Sequence, residues 1–190
     1  GGVGTIIVGQ TSVHQSTAHQ IANLPAVWDR ASIAGLSVVA NAIHRHGTVA
    51  LAQMTHNGGM VPGAWSRSPA LAPSLVGHYH EPPKVMDQAD IDDIILWWGR
   101  AARNIASAGF DGVELHGAHG YLLHQFTSPR WNQRVDEYGL GGGRHLFVEQ
   151  LIERVRSMTP DGFVVGYRLP GDDEDRSGHG LSNDDCAAFA

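Results

Sequence analysis

His116, His119 and Tyr121 stand close together in the stretch GVELHGAHGYLL, directly after a short apolar run. Two imidazoles can donate hydrogen bonds, and a phenol can give up a proton, so the trio suits general-acid chemistry. Gln53 closes another apolar run, TVALAQM, and Arg168 closes a third, FVVGYRL. A glutamine that donates and accepts, beside a fixed cation, suits the edge of a heteroaromatic ring bearing carbonyls and ring nitrogens. Other readings stand beside these. Gln53 can satisfy a neighbouring backbone group, Arg168 can pair with Asp172 or Asp173, and Tyr121 can be core packing. The HxxH of residues 116 to 119, with Glu114 as a third ligand, invites a metal-hydrolase reading. It lies at a strand-to-loop junction, however, and lacks the helical i, i+4 spacing of HExxH. His44, His46, His78, His80 and His145 fall in segments that read as inert helix surface or loop.

The elements that must carry these groups alternate in type. Four β-rich apolar runs, at 3 to 9, 48 to 54, 112 to 117 and 163 to 169, are separated by segments of helical period. Their near-continuous Val, Ile and Leu content suits parallel strands covered on both faces. A helix is expected from Ala31 to His46. A second is expected from residue 87 to 109, capped by Asp87, with Ile91, Ile94, Ile95, Trp98, Ala102 and Ile105 in one stripe. A third is expected from about His145 to Met158. Residues 57 to 85, rich in Pro, Gly, Ser and His, read as a long functional or lid-like loop. The fold class expected is α/β: a parallel (β/α)8 barrel of which about half is present, strands two to five with their helices, as one partial domain over residues 1–190. With a side-chain period of two, Gln53, His116 and Arg168 would converge on the carboxyl-terminal rim, where such barrels carry their reactive groups.

Composition narrows the partners. The formal charge of −6 is spread along the chain and no basic stripe is present, which argues against nucleic acid. No apolar run approaches the roughly 20 residues that span a bilayer. The lone Cys186 excludes an internal disulfide framework and fits a reducing, cytoplasmic setting.

The stretch AGFDGVELHGAHGYLLHQFTSPRWNQRVDEYG, residues 108 to 139, closely resembles the signature of the Old Yellow Enzyme family of FMN-dependent oxidoreductases. GTIIVGQTSVHQS resembles that family's second strand, ALAQMTHNGG its third, SPALAPS its Ala-Pro-Ser loop and VVGYRLPGDD its fifth strand. The resemblance implies FMN as cofactor, with Gln53 on the flavin pyrimidine, Arg168 near its N1 and O2 side, and the backbone at Gly9 and Gln10 against the ring. It implies that His116 and His119 grip a substrate carbonyl or nitro oxygen and that Tyr121 donates a proton, with NADH or NADPH as reductant of an activated C=C substrate. Two departures are visible: QMTHNGG has Gly59 where the family has arginine, and DEYGLGGGR is a residue shorter than the family's loop. The resemblance further implies that the first strand and the strands whose loops hold the FMN phosphate lie outside residues 1–190, so weak FMN binding by these residues is expected. Two alternatives remain open: an amine-dehydrogenase or N-demethylase-like member of the same superfamily, and a catalytically silent half-barrel that self-associates into a homo-oligomer through its sheet edges.

Overall fold

Four strands pair in parallel in the computed structural model, which describes residues 2–17, 24–77, 79–141, 143–173 and 178–189. They are β1 (Thr5–Ser12), β2 (Val49–Thr55), β5 (Gly112–His116) and β6 (Val164–Arg168), in the spatial order β1-β2-β5-β6. Between them run α1 (Ser32–His44), α3 (Gln88–Ser107) and α5 (Leu146–Ser157). The connection from β2 to α3 holds the short helix α2 (Gly63–Ser66) and a separate two-stranded ladder, β3 (Leu71–Ala72) with β4 (Lys84–Val85). A six-residue helix, α4 (Leu122–Thr127), follows β5, and α6 (Asn183–Phe189) follows β6. The expected strands and long helices are present with ends shifted by a few residues. The segment read as an irregular excursion contains α2 and the β3–β4 ladder.

Alternation decides which face of the sheet is covered. Ala50, Ala52, Met54, Val113 and Leu115 are buried. They belong to one core with Ile91, Ile94, Trp98 and Ile105 of α3 and Val148, Leu151 and Val155 of α5. Burying each large apolar side chain is worth roughly 1.5–3 kcal/mol. The opposite face is open: Ile7, Val49 and Val164 are 43, 39 and 46 % exposed. A sheet with helices on one face and an open, apolar inner face has the form of a barrel wall.

The helix starts follow from local chemistry. Asp87 accepts from the Asp90 backbone N–H at 3.0 Å while the Asp90 side chain accepts from the Asp87 N–H at 3.0 Å, a reciprocal capping box. Asp111 ties three elements: its Oδ2 accepts from Ala50 N at 2.7 Å and lies 2.8 Å from His44 Nε2. His44 lies on the helix surface, as its segment implies, but it is not inert: it partners Asp111, joining the end of α1 to the start of β5.

β1 departs from the expected span, running to Ser12 because the strand is irregular. Val8 pairs with Ala52 and Thr11 with Met54, so β1 spends one residue more than β2 over that interval. This bulge falls on Gly9 and Gln10 and bends the strand end where a side chain can be re-aimed. Trp98→Ala is expected to lower stability by about 3–5 kcal/mol in urea denaturation. A loss below about 1 kcal/mol would contradict the role given to the outer core layer.

Candidate active site

The parallel register aligns the polar ends of the strands. Gln53 lies opposite Glu114, Glu114 opposite Gly166, and His116 opposite Arg168. Gln53 Nε2 donates to Glu114 Oε1 at 2.6 Å. That fixes the amide and engages Glu114 away from a metal-ligand role. Among the described residues no group of three His, Cys, Asp or Glu side chains is arranged to hold a metal ion. A Cβ on Gly9 would come within 3.1 Å of Gln53 Oε1, so glycine there leaves room for the amide beside β1. Gln10 Nε2 donates to Asn57 Oδ1 at 2.9 Å. Arg168 is exposed at the end of β6; its carbonyl accepts from Gly117 N at 3.1 Å, while its guanidinium makes no hydrogen bond or ion pair to a described residue, and Asp173 is engaged by Ser128 and His124 instead.

His116, His119 and Tyr121 do come together. The His116 ring packs edge-on against His119 at 4.9 Å and against Tyr121 at 5.0 Å between centroids. His116 Nδ1 accepts from Ala118 N at 3.3 Å, which leaves its proton on Nε2, 3.1 Å from His119 Nδ1. His119 therefore presents its own Nε2–H outward. Burial, followed by electrostatic interaction with His119, Arg168 and His124, lowers His116 from 6.5 to about 4. A neutral His116 donates one proton in a fixed direction. His119 has φ +61°, a left-handed backbone rare for a non-glycine residue and typical of functional turns.

Tyr121 occupies the N-cap of α4 with extended backbone, φ −81° and ψ 177°. It is half-buried, and its hydroxyl makes no hydrogen bond to a described residue. Around it Leu122 N donates to His56 O at 2.9 Å, and Gln125 Nε2 donates to Gly120 O at 2.6 Å. Gly59 N donates to Gln125 Oε1 at 3.2 Å. Beside the trio a cleft of about 440 Å³ is lined by Met60, His119, Gly120, His124, Arg130 and Trp131, among others. A larger groove of about 690 Å³ lies between α3 and α5 and contains none of these groups.

An amide, a guanidinium without a side-chain partner among the described residues and a glycine that leaves the rim open form a donor and acceptor set suited to a planar heterocycle such as flavin. Comparison with known proteins shows the family. Residues 1–189 match the model of the NADH:flavin oxidoreductase / NADH oxidase family. The chain belongs to this family. It is 33 % identical over 183 residues to an NADPH dehydrogenase of Clostridium acetobutylicum, covering 96 % of this chain and 53 % of that protein. It is 34 % identical over 185 residues to an NADH oxidase of Thermoanaerobacter brockii, covering 95 % and 28 %. Among solved structures, an old yellow enzyme homologue from Zymomonas mobilis superposes with a TM-score of 0.79 at 28 % identity, covering 92 % of this chain and 52 % of that one. Histamine dehydrogenase from Rhizobium sp. 4-9 superposes with a TM-score of 0.89 at 29 % identity, covering 99 % and 28 %. The chain thus spans about half the length of the Clostridium relative and just over a quarter of the Thermoanaerobacter one.

The departures from the family pattern have local explanations. Gly59 stands where the family pattern has arginine, and the Tyr79 ring fills that ground: a Cβ on Gly59 would lie 2.5 Å from Tyr79 Cε1. Arg144, after the shortened loop, reaches Asp185 of α6 at 2.8 Å, so this loop serves helix docking. His78 lies outside the described residues. Sequence reasoning missed Asn57, Gln125 and His56, whose partners lie 40 or more residues away. The HNGG turn was the available signal, since two successive glycines permit close backbone approach.

His116 sets a pH dependence. A histidine lowered in the folded state is protonated more readily when unfolded, so its contribution to stability falls as pH drops from about 6.5 towards about 4. Urea denaturation across that range is expected to show the decline, with a shallower slope in His116→Gln; equal slopes would contradict the neutral, buried state.

Proposed function

We propose that this chain is the substrate-facing part of an FMN-dependent NADH or NADPH oxidoreductase that reduces an activated C=C bond of an enone, enoate or nitroalkene. The observation that carries the reading is the packing of His116, His119 and Tyr121 against one another beside the rim of Gly9, Gln10, Gln53 and Arg168. Bound FMN, reduced by NADH or NADPH, supplies hydride chemistry. Gln53 and the backbone at Gly9 and Gln10 hold the ring edge, and the Arg168 cation favours negative charge there. His119 donates Nε2–H to the substrate oxygen, and His116 joins it when His119 Nδ1 turns away, withdrawing electrons from the conjugated bond. Tyr121 delivers a proton to the α-carbon, so hydride and proton together saturate the double bond. The substrate is a small molecule, and the cleft beside His119 is of suitable size. No helix among the described residues is long and apolar enough to cross a membrane. The lone Cys186 supports a reducing, cytoplasmic setting as part of this proposal.

A second reading is favoured by the superposition on histamine dehydrogenase, which covers 99 % of this chain. In that case the same trio would orient an amine for oxidation. The deciding assay supplies the purified chain with FMN and compares NADPH- or NADH-dependent reduction of an enone with anaerobic oxidation of a primary or tertiary amine by a dye acceptor. Enone reduction is expected, with kcat lowered about 10²- to 10⁴-fold in Tyr121→Phe and KM little changed. Amine oxidation alone would overturn the first reading. A colourless protein that oligomerises with concentration would favour the silent half-barrel.

A further inference from the structure

Outside the reacting trio, four polar groups form a continuous chain through the wall of the fold. His56, at 1 % exposure, follows β2; Ser16, at 8 %, lies in a 3-10 turn after β1; His14, at 8 %, immediately precedes that turn. Gly58 N donates to His56 Nδ1 at 3.0 Å, which leaves the His56 proton on Nε2. That nitrogen lies 2.9 Å from Ser16 Oγ. Ser16 Oγ lies 2.7 Å from His14 Nδ1, which also accepts Ser16 N at 3.2 Å and so carries no proton. The His14 proton is then on Nε2, 3.4 Å from Asp93 Oδ2 on α3. Every donor points one way: Gly58 to His56, His56 to Ser16, Ser16 to His14, His14 to Asp93. Each buried donor and acceptor is used, and no second arrangement of protons satisfies all of them.

The inner end of this chain meets the site twice. His56 O accepts from Leu122 N, the residue after Tyr121, at 2.9 Å. The adjacent Asn57 accepts from Gln10 Nε2 at 2.9 Å, and its own N–H is held by Thr17 Oγ1 at 2.8 Å. Asp93, His14 and Ser16 have the order of a nucleophilic triad, but Ser16 is buried and its oxygen already accepts from His56. Burial and the neighbouring His14 lower His56 to about 3, so the ring stays neutral and keeps its single orientation.

We propose that Asp93, His14, Ser16 and His56 are positioning residues, a one-directional hydrogen-bond chain that fixes the His56–Asn57 turn and through it both Gln10 at the rim and Tyr121 at the head of α4. The inference rests on the proposed function only for what Gln10 and Tyr121 do; the chain itself is read from geometry.

Nitrogen-15 spectra of the histidine rings, with hydrogen exchange of the Leu122 amide and the Gln10 side-chain amide, test it on the chain without added flavin. His14 and His56 are expected neutral with the proton on Nε2. Ser16→Ala is expected to speed Leu122 exchange by about tenfold or more, the loss of one buried hydrogen bond, and to free the Gln10 amide signal while the Leu151 amide in α5 is unchanged. Asp93→Ala, at the half-exposed end of the chain, shifts the same two signals to a smaller extent, and Asp93→Asn, which keeps an acceptor, restores them. A proton on His56 Nδ1, unchanged Gln10 and Leu122 signals in Ser16→Ala, or an equal change at Leu151 would overturn the proposal. Where these signals behave as expected and no ene reduction is found, the functional reading fails and the positioning chain stands.

Discussion

The hydrogen bond from Gln53 to Glu114 forms in one register of β2 and β5, and the geometry of the site follows from that register. A slip of one residue would turn Gln53 to the helix-covered face and bring an alanine or methionine of β2 to the rim. The same pairing carried to β6 sets Arg168 opposite His116. Below the rim it aligns Ile7, Leu51, Gly112 and Val164 into an apolar layer. Gly112 has a steric reason within that layer, since a Cβ there would strike the Val164 carbonyl. Polar groups thus collect at one end of the wall and apolar ones below, which is the division a ring with one polar edge requires.

Loops then fix what strands alone leave free. His119 in a left-handed conformation turns the chain back over His116, and Gly120 N donates to His124 Nδ1 at 2.9 Å. His124 Nε2 in turn lies 2.9 Å from Asp173 Oδ2, beyond β6. The turn after β2 braces α4 from the other side. Tyr121 is therefore placed by contacts from three separate stretches of chain, which explains how a six-residue helix, too short to be stable alone, holds a fixed start.

Much of this was legible in the sequence, and the limits have physical causes. The strands announced themselves by their runs of Val, Ile and Leu, of which β2 and β5 bury one full face, and α3 because its apolar stripe and its Asp87 cap obey local rules. Gln53 and Arg168 followed from strand ends and period two, whereas Gly9 and Gln10 were implied by the family resemblance alone. The convergence of His116, His119 and Tyr121 was implied by five residues of separation. By contrast α4 is buried on all sides, so it shows no amphipathic period, and the β3–β4 ladder has two residues per strand. The β1 bulge is a property of pairing with β2, invisible from either strand. The His56–Ser16 contact joins residues 40 apart, and nothing local marks it.

The central claim is that the rim made by Gly9, Gln10, Gln53 and Arg168 receives the flavin ring. Titration of the isotopically labelled chain with lumiflavin, which has the ring without the phosphate tail, separates ring binding from phosphate binding. The account predicts saturable shifts centred on those four residues and on His116, lost in Gln53→Leu. Shifts centred on the exposed apolar layer of Ile7 and Val164, or none that Gln53→Leu removes, would contradict it.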